Sequence, residues 1–127
     1  MPNRLEGYSV YDAFVKFENN PQEGKNRPVA IVRINLEDYS TQGFGIYSYK
    51  YKFESKFKTS FYQKFLYKIK DVEEAGLNPK LISYVDVSKV AQFSLIEMMK
   101  ETKYRGRLSK RDAHGLIDKY KSYKSLN

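Results

Sequence analysis

The residue pair Arg27-Pro28 closes a polar stretch, Glu18 to Val32 (ENNPQEGKNRPVAIV), that runs through Gly24 and Lys25 straight into an apolar run. An Arg placed where a mobile loop enters a buried strand is held at its backbone while its guanidinium stays free. That arrangement suits a phosphate whose charge changes during a reaction. Pro28 fixes the backbone just after it. A second candidate is Ser48, in IYSYK, whose hydroxyl can donate to a phosphate oxygen. On residue types alone both have plainer readings: a Gly-x-x-Arg-Pro hairpin connection with its Arg on the surface, and an exposed strand serine.

Other chemistry is thin. The chain has no Gly-x-Gly-x-x-Gly, Walker loop, HExxH or nucleophile elbow. With no Cys there is no thiolate nucleophile, disulfide or Cys-based metal site, and one His excludes a multi-His metal centre within a single chain. That residue, His114, reads as a surface or packing position, and Asp71 with Glu73-Glu74 as a solvated acidic face. No metal or cofactor is expected. Metal-free cleavage of RNA by its own 2′-hydroxyl needs help with deprotonation, stabilisation of a dianionic phosphorane-like state, and protonation of the leaving oxygen. Arg27 and Ser48 supply the middle requirement; no residue identifies itself as the proton-transfer base.

The elements that must position these residues fit one domain spanning residues 1–127, large enough for a core without staples. No segment approaches the length of a bilayer span, and the N-terminus lacks a long apolar run, so a soluble, cytoplasmic protein is expected. The net charge of +8 is uneven: residues 41–70 carry seven basic and one acidic group, and residues 100–127 nine and three. A basic surface with twelve Tyr and eight Phe interleaved among lysines favours a polyanion with unpaired bases, although the same rings are good strand residues.

Period-two alternation predicts a first strand over 8–17, with Tyr11, Ala13 and Val15 on one face, then a mobile flap in ENNPQEGKN and a central strand over Val29–Ile34. A third strand is predicted through Tyr47, Tyr49, Tyr51 and Phe53, which puts Ser48 on one face with Lys50 and Lys52. Residues 57–69 read as another strand or bent strand pair. DVEEAGL reads as a helical turn stopped by Gly76, and LISYVDV as a strand. The run from Ala91 to Gly106 fits both helical spacing, through Phe93, Ile96 and Met99, and strand with turn. Ser109-x-x-Asp112 begins a terminal helix to about Tyr120, with Leu116, Ile117 and Tyr120 as its packing face and a frayed tail.

Taken in order, VKFENNPQEGK, Arg27-Pro28 before VAIVRI, IYSYK, EEAGL, LISYVDV and Gly106-Arg-Leu-Ser109-Lys-Arg-Asp112 resemble the MazF/PemK family of toxin endoribonucleases of type II toxin-antitoxin systems. The resemblance implies a mainly β fold with a C-terminal helix (α+β), an SH3-like barrel of bent antiparallel strands of the CcdB/MazF type. It also implies a homodimer that cleaves single-stranded RNA at short sequences without a metal, and a cognate antitoxin protein whose partly disordered segment covers the RNA groove. Arg27 and Ser48 fall on its catalytic positions. The positions expected to contact substrate are Glu18, Asn19, Asn20 and Lys25 in the gating loop, with Tyr49, Lys50 and Lys52 on the third strand. A one-residue shift at that strand replaces Ser48 with a neighbour. Two rival readings share the composition: a non-enzymatic inhibitor of a protein such as DNA gyrase, and a basic module that binds single-stranded nucleic acid without cutting it.

Overall fold

Alternating apolar residues in the first half of the chain become three consecutive antiparallel strands, β1 (Ser9–Phe17), β2 (Asn20–Asn35) and β3 (Ser40–Tyr49). The structure is a computed structural model that describes residues 7–17, 20–94, 98 and 103–126, with backbone alone at 16, 17 and 20–23. After β3 come a 3-10 turn (Tyr51–Phe53) and two short helices, α1 (Glu54–Phe57) and α2 (Ser60–Gln63). They are followed by β4 (Leu66–Lys68), β5 (Ile82–Asp86), β6 (Ala91–Ser94), β7 (Lys103–Arg107) and the long terminal helix α3 (Lys110–Ser125).

The strands form one antiparallel sheet in the order β4-β5-β3-β2-β1-β7, with β6 added alongside β3. β3 is shared. Residues 40–45 pair with β2 and 40–43 with β6, whereas 46–49 pair with β5. The β2–β3 ladder runs no further than Val29 opposite Gly45. The next β2 residue is Pro28, which has no amide proton to donate, and there β3 parts from β2 and takes up β5.

Apolar residues on both faces of the sheet are covered. On one side Val10, Ala30, Phe44, Ile46, Val85 and Leu116 form the main core, closed by α3. On the other, Tyr11, Ala13, Val29 and Ile31 pack with Met98, and a third cluster of Phe57, Leu66, Ile82 and Tyr84 lies under α1 and α2. Each fully buried Val, Leu, Ile, Phe or Met side chain among these contributes about 1.5–3 kcal/mol relative to exposure.

α3 begins as its sequence requires: Ser109 Oγ accepts from the Asp112 amide. The Asp112 carboxylate does not turn back on the cap. It is fully buried and accepts from the Tyr67 hydroxyl at 2.6 Å and from the amides of Lys70 and Asp71 at 2.9 and 2.8 Å, tying the helix to the segment after β4. Leu116 and Tyr120 face the core as expected, and the helix continues through 121–125 where a frayed tail was expected. The EEAGL turn is present, with Gly76 at φ +73° lying against the backbone of Arg105, where a Cβ would collide.

Three sequence expectations change. First, the flap over 20–26 is absent: these residues extend β2, residues 24–26 and Asn20 pair with β1, and the register shift at Lys16/Phe17 takes up residues 21–23 between them. Second, β3 ends at Tyr49, so Lys50 follows the strand, Lys52 lies in the 3-10 turn, and neither continues a basic strand face with Ser48. Third, residues 54–63 form helical turns instead of strand. Glu54 and Lys58 meet across one turn, and α2 is closed by the Gln63 amide donating to the Thr59 carbonyl. Between Ala91 and Gly106 the described parts are the strand β6, the buried Met98 in helical conformation, and the strand β7; Ile96 and Met99 lie outside the described residues.

Candidate functional site

Arg27 sits at the fork where β2 and β3 separate. Its backbone pairs with Ala13 of β1, and its half-buried guanidinium lies over the Tyr47 ring, with Cζ 4.0 Å from the ring centroid. Gly45 makes room for this stack: a Cβ there would stand 3.3 Å from both Arg27 Cδ and the Tyr47 ring. A guanidinium stacked on a ring by its face keeps the N–H donors in its plane available at the rim. Among the described residues, Arg27 has no carboxylate partner.

Tyr49 stands two residues on from Tyr47, on the same face, and packs on Phe57 with centroids 4.6 Å apart. Burial, then the neighbouring Tyr47, pushes its phenol above the ordinary tyrosine range, while Arg27 pulls the other way. Tyr49 is therefore a hydroxyl donor at neutral pH.

Ser48 does not join Arg27. Strand alternation turns it to the opposite face from Tyr47, where its hydroxyl shares a 2.8 Å hydrogen bond with Ser83 Oγ of β5. Ser83 is fully buried, so the pair clasps β3 to β5. The hydroxyl-bearing residue next to Arg27 is Tyr47, one position earlier.

The other expected contacts scatter. Lys25 is exposed in the β1–β2 hairpin, opposite Val15. Asn20 begins β2 opposite Phe17; Glu18 and Asn19 lie outside the described residues. Lys50 and Lys52 are exposed beyond the strand, with Lys52 Nζ 5.2 Å from the centroid of the adjacent Phe53 ring. His114 is exposed on α3, as expected. Asp71 is held by Arg111 at 2.6 Å and by Ser109, and these bonds keep its carboxyl below the ordinary carboxylate range, so it belongs to the start of α3 more than to a solvated face.

Sequence reasoning did not single out Tyr47 and Gly45, the two residues that shape the Arg27 site. Gly45 carried a signal, since a glycine inside a strand often marks close approach. Tyr47 was counted with the other strand aromatics and carried none. No family profile matches the chain, and no curated protein matches it significantly. No helix among the described residues is long and apolar enough to cross a membrane.

Proposed function

We propose that the protein is a metal-independent endoribonuclease acting on single-stranded RNA. The observation that carries this reading is the half-buried Arg27, its guanidinium stacked on Tyr47 at the strand fork with no carboxylate among the described residues to neutralise it. A fixed, unneutralised cation in a partly desolvated site favours the extra charge that a phosphodiester gains as its 2′-hydroxyl attacks. The phenols of Tyr47 and Tyr49 take the part expected of Ser48, donating to a non-bridging oxygen or toward the leaving 5′-oxygen. The ring faces offer a platform for an unpaired base. The β3 strand shared by two groups of strands and the terminal helix support an SH3-like, CcdB/MazF-type arrangement. A homodimer and an acidic antitoxin segment as partner belong to the same proposal: the dimer rests on the family resemblance alone, and the charge of +8 supports the acidic partner.

The test is incubation of the protein with a long single-stranded RNA in excess chelator, beside Arg27→Ala, Tyr47→Phe and Ser48→Ala. Discrete fragments with 5′-hydroxyl and cyclic-phosphate ends are expected from the parent. Arg27→Ala is expected to lower the rate by about 10²–10³-fold, the usual effect of removing one charge-stabilising donor. Tyr47→Phe keeps the stack and loses the hydroxyl, so it is expected to be slowed, and Ser48→Ala to cut at nearly the parent rate. Parent-like cleavage by Arg27→Ala would sink the assignment.

A second reading follows from the Ser48–Ser83 clasp. With that hydroxyl engaged between strands, the Arg27–Tyr47 stack is also a sufficient phosphate-and-base clamp for binding alone. Intact RNA in every sample, with salt-dependent binding to single strands, selects this reading; intact RNA without binding turns attention to a protein target such as gyrase.

A further inference from the structure

On the side of the molecule built by α1, α2, β4 and α3 lies a groove of about 510 Å³, within the ~300–1,000 Å³ typical of ligand sites. We propose that this groove is a binding track for the phosphate chain of single-stranded nucleic acid, additional to the Arg27 site. The proposal concerns binding and stands whether or not Arg27 takes part in cleavage.

The lining is strongly basic: Lys58, Lys64, Lys68, Lys70 and Lys119, against Glu54 and Asp118. Glu54 is already engaged, 2.7 Å from Lys68 Nζ and 3.9 Å from Lys58 Nζ. Lys119 donates to the Gln63 carbonyl at 2.7 Å and straps α3 to α2 across the groove. Lys64 and Lys70 are exposed and form no salt bridge among the described residues, so two ammonium groups face solvent without internal compensation. Such cations attract an anionic chain and release its counterions when they meet it.

Rings on the same segment supply the second half of single-strand recognition. Phe61 of α2 is 62% exposed, and Tyr51 and Phe53 of the preceding turn 53% and 44%. Phe61 is nonetheless held in place, edge to face with Tyr62 at 5.1 Å and with Phe65 at 5.4 Å. A large apolar ring kept in water and fixed in orientation, three residues before the exposed Lys64, matches a base stacked next to its phosphate. An acidic peptide would satisfy the lysines and leave those rings without planar partners. The rings also connect the two sites. Tyr49, beside Arg27, touches Phe57 at 4.6 Å, Phe57 touches Tyr62 at 5.1 Å, and Tyr84, 5.0 Å from Phe57, lines the groove itself.

The experiment is fluorescence anisotropy of a labelled 2′-O-methyl oligouridine, which lacks the attacking hydroxyl, titrated with protein in chelator over a range of salt. The parent is compared with the double variant Lys64→Glu/Lys70→Glu, with Phe61→Ala and with Arg27→Ala, and circular dichroism confirms that each is folded. The charge-reversed variant is expected to bind at least about tenfold more weakly, with the slope of log K against log salt reduced by about 1.4, two phosphate contacts at ~0.7 each. Phe61→Ala is expected to lose about tenfold with little change of slope. Parent-like affinity and slope in the folded double variant would overturn the proposal. So would a polyglutamate peptide that binds the parent as tightly as the oligonucleotide, since the groove would then be a site for an acidic protein. A parent that leaves 2′-hydroxyl RNA uncut while the double variant loses binding removes the cleavage reading and keeps this one.

Discussion

Gly45 decides what Arg27 can do. Its missing side chain leaves the space in which the Arg27 stem and the Tyr47 ring lie together, and each would be 3.3 Å from an added Cβ. That distance is tight without being a collision, so Gly45→Ala is expected to displace the stack without unfolding the protein. RNA cleavage, or binding if the protein only binds, should fall about tenfold for a stability loss of about 1 kcal/mol or less. Parallel activity and urea-denaturation measurements check this, and a variant with parent activity would show that the stack is not needed. At this scale the sequence was half legible. Arg27 stood out because a charged residue sits between turn formers and an apolar run. Its partner did not, because Tyr47 and Ser48 are neighbours in sequence, and only the strand's phase assigns one of them to the Arg27 face.

α3 is seated by a glycine inside the helix. Gly115 lies against the Tyr67 ring, where a Cβ would stand 2.4 Å from the nearest ring atom, and that ring is fixed by its hydroxyl bond to Asp112. Gly115→Ala would gain about 1 kcal/mol in helix propensity, yet overpacking against a ring that cannot retreat costs about 1–3 kcal/mol. The expected outcome is net destabilisation, read as a lower urea midpoint; a raised midpoint would mean that the helix is not pinned on β4. Elements whose pattern is local were legible from sequence: the alternation of β1, the apolar centre of β2, LISYVDV as β5, and Ser109-x-x-Asp112 as a helix start. The segment 50–63 was misread because Tyr and Lys alternate there as on a strand, while the Glu54–Lys58 spacing that favours a helical turn is a weaker cue. The flap was misread because turn-forming residues can also be absorbed into an irregular hairpin, and pairing with β1 decides which occurs.

Across the whole molecule, the basic blocks that are far apart in sequence meet at the groove, with Lys58, Lys64, Lys68 and Lys70 from one and Lys119 from the other. No reading of the chain in one dimension shows that meeting. Three phenols, those of Tyr49, Tyr67 and Tyr84, are pushed above the ordinary value, each chiefly by burial, with the Asp112 bond adding to the effect at Tyr67. Because the folded state holds these protons more tightly than the unfolded chain, their stabilising contribution is complete below about pH 10 and is lost as pH rises through the folded values. Urea midpoints measured between about pH 9 and pH 12 should therefore fall with increasing pH, less steeply in Tyr67→Phe. A flat profile would contradict the burial of these rings.

The separation of Tyr47 from Ser48 imposes a parity rule on the chain. One face of β3 there carries Gly45, Tyr47 and Tyr49, and the other carries Ile46 and Ser48, so inserting or deleting one residue between Gly45 and Tyr49 would exchange the two sets. The serine would come to Arg27 and the tyrosine would be driven toward the buried Ser83 at the clasp with β5. Changes of even length keep the faces in phase. Over this short span, drift in length is therefore restricted to steps of two, while the turn at 36–39 that precedes β3 is under no such rule from the Arg27 site.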